Sequence, residues 1–371
     1  MPTRSFPPTP DESDDVFDPI LSAEGDEDEP RLEIIVSERG TDWSDDDDEI
    51  SDEALVSSGI DLPGADRVAR FTGELDRRTG TGGDIGLLTD LDRDGLATFQ
   101  AAWSSFPDRA RVELTRRLVA TGAERYDLQF TRIFFALLSD AEPAVRQFAV
   151  TGLADEQDPK VLDQFVRLVE TDGSTDVRAA VASALSDYAD LAAGGDDLGM
   201  DADELRDVLE TIVVDEDEPE QLRRAALESW AVFGSRGAEG FSSTVAEAIA
   251  EMYNTGDTAG QASALIAMGR TLDRVWLPFV ERDLASEDAE IRLAAVRAAG
   301  QLTETALVEP VAELTSDDDD EVRAAAVVAL GQIGGPGAVR VLRGLAADPE
   351  RNDQEAVNEA IEEASLAAES L

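Results

Sequence analysis

Any chemistry in this chain must come from carboxylates, guanidiniums, hydroxyls and amides, because its 371 residues include no histidine and no cysteine. That removes imidazole general bases, thiolate nucleophiles, disulfides and Cys/His zinc sites together. Lys160 is the only lysine. A serine nucleophile would need its base there or on a carboxylate, and no such pair stands out by spacing. The nearest approach to a metal motif is Asp90-Leu-Asp92-Arg-Asp94-Gly95, the first half of a calcium-binding loop. The position that should close the loop with a bidentate acid is Ala101, so the strongest ligand is missing. Acids at that spacing also suit a helix start, where Asp92 or Asp94 caps the free backbone N–H groups. The runs Asp317–Glu321 and Asp215–Glu218 read the same way. No catalytic residue, no metal site and no cofactor is expected.

The charged residues that do recur in register are an arginine and an acid six positions before it: Asp140/Arg146, Asp172/Arg178, Asp217/Arg223 and Asp317/Arg323. Ser286/Arg292 keeps only the base and Asp348/Gln354 only the acid. An Asp in a turn and an Arg one turn into the following helix can pair. Stacked copies would align such pairs into a ladder of charge-assisted hydrogen bonds.

The elements that must carry this ladder are helices. From Leu87 onward the apolar period is helical, Pro and Gly retreat to boundaries, and no run of alternating β-branched residues occurs. The spacing predicts sixteen helices between residues 94 and 369, from 94–105 and 108–121 to 336–347 and 353–369. Short links between them require antiparallel neighbours. Ile291-Arg-Leu-Ala-Ala-Val-Arg-Ala-Ala-Gly-Gln-Leu302 and Val322-Arg-Ala-Ala-Ala-Val-Val-Ala-Leu-Gly-Gln-Ile333 are copies 31 residues apart. Earlier copies at Arg146, Arg178 and Arg223 are spaced more widely, with the excess falling in Leu191–Gly199 and Gly234–Gly240.

The helix pair, the Asp and Arg positions and the Val/Ile-Arg-x-x-Ala…Ala-Leu-Gly run resemble HEAT repeats, especially the short phycobilisome-lyase-like kind. The resemblance covers about 127–371, with 87–126 as a divergent N-terminal cap. It implies an all-α fold, a solenoid of antiparallel helix pairs, and a concave face lined by the second helix of each pair. The expected function is a non-catalytic scaffold or adaptor that binds a protein partner. The alternative is an accessory or lyase-like enzyme component, since related repeats occur in bilin lyases and in deoxyhypusine hydroxylase. The hydroxylase holds iron on paired His-Glu motifs, which a chain without His cannot supply. The positions four and five after each arginine fall at or near the concave face. They nominate Leu265, Ile266, Val296, Arg297, Val327 and Val328 as an apolar partner-binding patch with one cation.

Composition adds its own bounds. The chain holds 82 acids against 31 bases, for a formal net charge of −51 and a pI near 4.1. The first 84 residues carry 25 acids and 7 bases, so most of the excess lies in the folded part. A partner made of nucleic acid is not expected, because each bound phosphate wants a Lys or Arg. The scarcity of lysine and the excess of Asp resemble proteins of extremely halophilic archaea. At about 1 M salt the Debye length shrinks to roughly 3 Å and self-repulsion is screened. No apolar run approaches a membrane span, and the first ten residues lack the apolar core of a secretion signal. A cytoplasmic protein with no membrane partner is expected. Residues 1–49, proline-broken and acidic, read as a disordered tail with one aliphatic island, Leu32-Glu-Ile34-Ile35-Val36. Residues 50–86 read as partly helical, ending in a Gly-rich linker at Thr79–Gly83, and 87–371 as the solenoid.

Overall fold

The computed structural model describes residues 62–196, 198–234, 243–347 and 354–369, so the expected tail and its island at Ile34, Ile35 and Val36 lie outside the described residues. The chain forms two units, Met1–Asp61 and Leu62–Leu371, and all described residues belong to the second.

Helix α1 (Gly64–Glu74) leads into a hairpin of β1 (Leu75–Asp76) and β2 (Thr81–Gly82), antiparallel with Leu75 opposite Gly82. Gly80, Gly82 and Gly83 take φ values of +74°, +79° and +68°, a region that costs a side chain about 1–2 kcal/mol. Their carbonyls converge on Arg117, which donates to Gly80 at 2.7 Å, Gly82 at 2.9 Å and Gly83 at 3.4 Å. The Thr79–Gly83 cluster is therefore a turn clamped to the helical body, not a linker. The folded unit starts at Leu62 rather than 87. Glycine richness is common to linkers and to tight turns; the deciding group is an arginine more than thirty residues away.

The helices follow in order: α2 (Arg93–Trp103), α3 (Asp108–Glu124), α4 (Thr131–Leu137), α5 (Pro143–Thr151), α6 (Pro159–Thr171), α7 (Thr175–Gly194), α8 (Ala202–Val214) and α9 (Glu220–Trp230). They continue with α10 (Ser243–Thr255), α11 (Thr258–Arg270), α12 (Leu277–Asp283), α13 (Ala289–Leu302), α14 (Val308–Leu314), α15 (Asp320–Ile333), α16 (Gly335–Ala346) and α17 (Gln354–Glu369). Aspartate caps set the starts: Asp92, Asp158, Asp201, Asp257, Asp288 and Asp319 each accept a backbone N–H from the first turn. Asp92 receives Gly95 N at 2.7 Å, so the calcium-like run serves a helix start. The short helices α12 and α14 are preceded by 3₁₀ turns at Arg274–Trp276 and Thr305–Leu307. The wider spacing before α8 and α9 is taken up partly by α7, which runs 20 residues to a left-handed Gly195.

From α4 to α17 the helices pair as antiparallel neighbours, and the second members α5, α7, α9, α11, α13, α15 and α17 pack one on the next as a continuous layer. Glycine sets their separation. A Cβ on Gly269 would lie 2.7 Å from Ala298 Cα, and one on Gly331 would lie 3.1 Å from Ala360 Cα. Gly300 meets Ala329 in the same way, also at 3.1 Å. The recurring Ala-x-Gly of the repeat is thus a close-packing surface between successive second helices. Leu272, Thr303 and Gly334, spaced by the repeat, all take positive φ (54°, 52°, 68°) as the chain leaves the second helix. Only the last is free of a Cβ. Phe99, Phe165, Tyr188 and Trp230 are fully buried, and each large apolar side chain so placed contributes about 1.5–3 kcal/mol.

Candidate functional site

The arginine ladder exists with a different register from the one the spacing suggested. Arg146 gives Nη2 to Asp172 at 2.6 Å and Nε to the other oxygen at 2.7 Å. Arg292 does the same to Asp317 at 2.8 and 2.7 Å. The acid belongs to the next repeat's turn, not to the arginine's own. Within its own turn each arginine donates instead to a carbonyl: Arg146 to Asp140 O at 2.7 Å, Arg292 to Ser286 O at 2.9 Å and Arg323 to Asp317 O at 2.6 Å. Each acid also accepts the N–H two residues on, as Asp172 does from Ser174 at 2.8 Å and Asp317 from Asp319 at 2.9 Å. One guanidinium therefore staples two successive turns.

The correction applies along the row. Asp140 is taken by Arg111 at 2.6 Å and by Trp103 Nε1 at 2.6 Å, neither of which had been nominated. Arg178 pairs with Glu218 at 2.6 Å, so Glu218 replaces the exposed Asp217 as the acid of that turn. Arg223 donates to Val213 O at 2.9 Å and has only Glu251 Oε1 at 3.8 Å across the next gap. Gln261 fills the next arginine position and reaches Asp283 at 3.2 Å, where Tyr253 Oη also donates at 2.5 Å. Arg323 also pairs with Asp320 in its own first turn, and Asp348 lies outside the described residues. The arginine's long arm reaches past its own turn because carbonyls already occupy the near end. The legible clue is that each acid lies 25 or 26 residues after Arg292 or Arg146. Burial works to raise the Asp172 carboxyl, yet the Arg146 and Ser174 hydrogen bonds outweigh it and hold it below the usual aspartate range. Arg292 does the same for Asp317.

The six nominated partner residues separate by position. Leu265 and Val296 are 0% exposed and Val327 is 8% exposed, so these three belong to the core between second helices and offer no surface. Val328 is 48% exposed, Arg297 is exposed and Ile266 is partly so. The surface row is the fifth position after the arginine: Ser183, Glu228, Ile266, Arg297 and Val328. The fourth position points one helical step inward, toward the neighbouring second helix.

That row lines an open groove over α9, α11, α13 and α15. One hollow of about 390 Å³ is bounded by Ser183, Gln221, Arg224, Glu228, Ile266 and Arg297, among others. A second, of about 610 Å³, shares Glu228, Ile266 and Arg297 and extends to Gln301, Val328 and Gln332. Alanines such as Ala225, Ala262, Ala294 and Ala325 keep the floor low. Burial pushes the Glu228 carboxyl above the ordinary glutamate range, against the pull of Ser263 and of Arg270, Arg224 and Arg297. A further hollow of about 470 Å³ between α8 and α10 is walled by Glu216, Glu218, Glu220, Glu247 and Glu251. It is acidic like the rest of the surface, and its arginine, Arg223, already donates within the stack. Among the described residues no helix is long and apolar enough to cross a membrane.

Stacked antiparallel helix pairs, an interturn arginine staple and an open groove on the second helices define an α-solenoid of the repeat-protein class. The HEAT-repeat profile matches residues 131–231 and 277–362, just over half of the chain, and the chain belongs to the HEAT-repeat family. No curated protein sequence matches it. Among solved structures, the complex of CpcE and CpcF of phycocyanin lyase from Nostoc sp. PCC7120 is similar at 18% identity and a TM-score of 0.42, over 62% of this chain and 93% of that one. Human deoxyhypusine hydroxylase is similar at 19% identity and a TM-score of 0.32, over 75% and 98%. A designed armadillo repeat protein follows at 17% identity and a TM-score of 0.33, over 55% of this chain and 99% of its own.

Proposed function

We propose that this protein is a non-catalytic scaffold or adaptor that binds a protein partner in the groove across α9, α11, α13 and α15. The observation that carries the reading is the row Ile266, Arg297, Val328: two aliphatic side chains and a cation at equivalent positions of adjacent repeats, open to solvent. Nothing in stacking requires these side chains outside the core, where their neighbours Leu265, Val296 and Val327 already fill the space between helices. Apolar side chains beside a guanidinium on an otherwise acidic surface suit a protein interface. We further propose that the acidic surface is an adaptation to concentrated salt and that binding takes place there.

Affinity capture of the tagged full chain, compared between wild type, Val328→Glu and Glu281→Gln on the exposed side of α12, tests the site. A partner lost with Val328→Glu and retained with Glu281→Gln supports the groove. A partner retained by both variants places binding elsewhere and ends the groove reading.

A further inference from the structure

We infer that the groove, if it is the partner site, receives an extended segment carrying one carboxylate centred between two aliphatic side chains, each three residues away from it. This inference rests on the scaffold reading and names the chemistry of the partner.

The charge at the centre is the first argument. Arg224 pairs with Glu220 and Asp257, and Arg270 with Asp190 at 2.8 Å. Arg297 is exposed in the middle of the row and makes no close ion pair among the described residues. It attracts the Glu228 carboxyl, which burial pushes toward its neutral form, and Glu321 is the other acid of that hollow. A guanidinium set between Ile266 and Val328 can take a carboxylate in a forked pair, partly sheltered from water by the aliphatic groups. A basic segment would meet like charge at that point, and a nucleic acid would find one unpaired cation amid glutamates.

Spacing is the second argument. The closest approaches at Gly269 and Gly300 put a Cβ within 2.7 and 3.1 Å of the next helix's Cα. With a helix Cα radius of about 2.3 Å, successive second helices lie roughly 8–9 Å apart near the row. A polyproline-II segment advances about 3.1 Å per residue, so every third side chain falls on successive repeats at about 9.3 Å. An α-helix needs about seven residues, or roughly 10.5 Å, to return a side chain to the same face, and it drifts out of step. The third argument is the backbone. Gln301 and Gln332 line the groove one turn beyond Arg297 and Val328. Gln301 turns its Oε1 into the seam beside Gly269, but Gln332 is exposed, and its amide suits the unpaired N–H and C=O groups of an extended chain, which a helix would not present.

The test is selection of phage-displayed random peptides of about 12 residues, long enough to cross three repeats, on the full chain in about 2 M KCl. Enriched peptides should share an aliphatic residue, two of any kind, an Asp or Glu, two of any kind, and a second aliphatic. A fluorescent copy of one such peptide should bind Arg297→Glu at least about 10-fold more weakly than wild type. The peptide with its acid changed to arginine should reverse that order. Circular dichroism of the variant, unchanged at this exposed site, keeps the comparison one of binding. Selection without an acidic centre, or equal affinity for Arg297→Glu, overturns the inference. If Val328→Glu abolishes partner capture while peptides show no acidic centre, the groove stands and only the proposed motif falls.

Discussion

Arg292→Ala should remove a staple between two repeats, and its cost can be worked from the geometry. The guanidinium is 15% exposed and the Asp317 carboxylate 7%, with forked bonds at 2.7 and 2.8 Å. A third bond, to Ser286 O at 2.9 Å, is lost with them. Breaking a deeply buried pair by removing one partner costs about 3–5 kcal/mol, whereas an exposed pair is worth under about 1. Asp317 keeps the Asp319 N–H at 2.9 Å, so its carboxylate is not orphaned. Charged hydrogen bonds contribute about 1.5–3 kcal/mol, and a loss of about 2–3 kcal/mol is expected. A double-mutant cycle with Asp317→Ala, followed by denaturant unfolding under circular dichroism, isolates the pair. Coupling should persist from about 0.2 to 2 M KCl, because sheltered charges are screened less than exposed ones. Arg116→Ala, which removes the more exposed 2.8 Å pair with Glu113, supplies the contrast at under about 1 kcal/mol. A coupling for Arg292 and Asp317 no larger than that of Arg116 and Glu113 would refute the claim that this ladder holds repeats together. Arg323→Ala is expected to leave the Asp317 side chain paired, since that carboxylate belongs to Arg292.

Three further outcomes are expected. Helicity followed by circular dichroism should fall as KCl is lowered from about 2 M to about 0.1 M, as unscreened repulsion at net charge −51 grows; flat ellipticity and melting temperature would remove the salt-adaptation proposal. Gly300→Ala, which in an exposed helix would stabilise by about 1 kcal/mol, should instead destabilise, because the new Cβ would lie 3.1 Å from Ala329 Cα and collide with the Gln332 side chain; a raised denaturation midpoint would contradict the close packing. Glu228→Gln should be at least as stable as wild type at pH 7. The folded carboxyl is raised by burial, so its penalty is absent below the ordinary glutamate value and grows as pH rises through the folded one. A variant less stable at pH 7 but not at pH 4 would reverse that sign.

Much of the architecture was legible in the residues. Helical periodicity, aspartate at turn positions and the 31-residue copies at Ile291 and Val322 were enough to place the helices between 94 and 369 within a few residues, because each depends on local spacing. The absence of His and Cys bounded the chemistry on composition alone. Contacts across sequence were not legible. The Gly cluster at 79–83 could be a linker or a turn until Arg117 closed on its carbonyls. The arginines could pair within their own turns until the stack brought the next turn nearer. Position five after the arginine is polar or charged in most copies (Thr151, Ser183, Glu228, Arg297, Glu359), which hints at an outward row. At the repeats of Leu265/Ile266 and Val327/Val328, however, both positions are apolar, and residue type alone could not separate them. That separation depends on where the adjacent second helix lies. The helix comes close enough to bury the fourth position because Gly269, Gly300 and Gly331 have no side chain to hold it off, and the fifth position, one step around the helix, is left facing water.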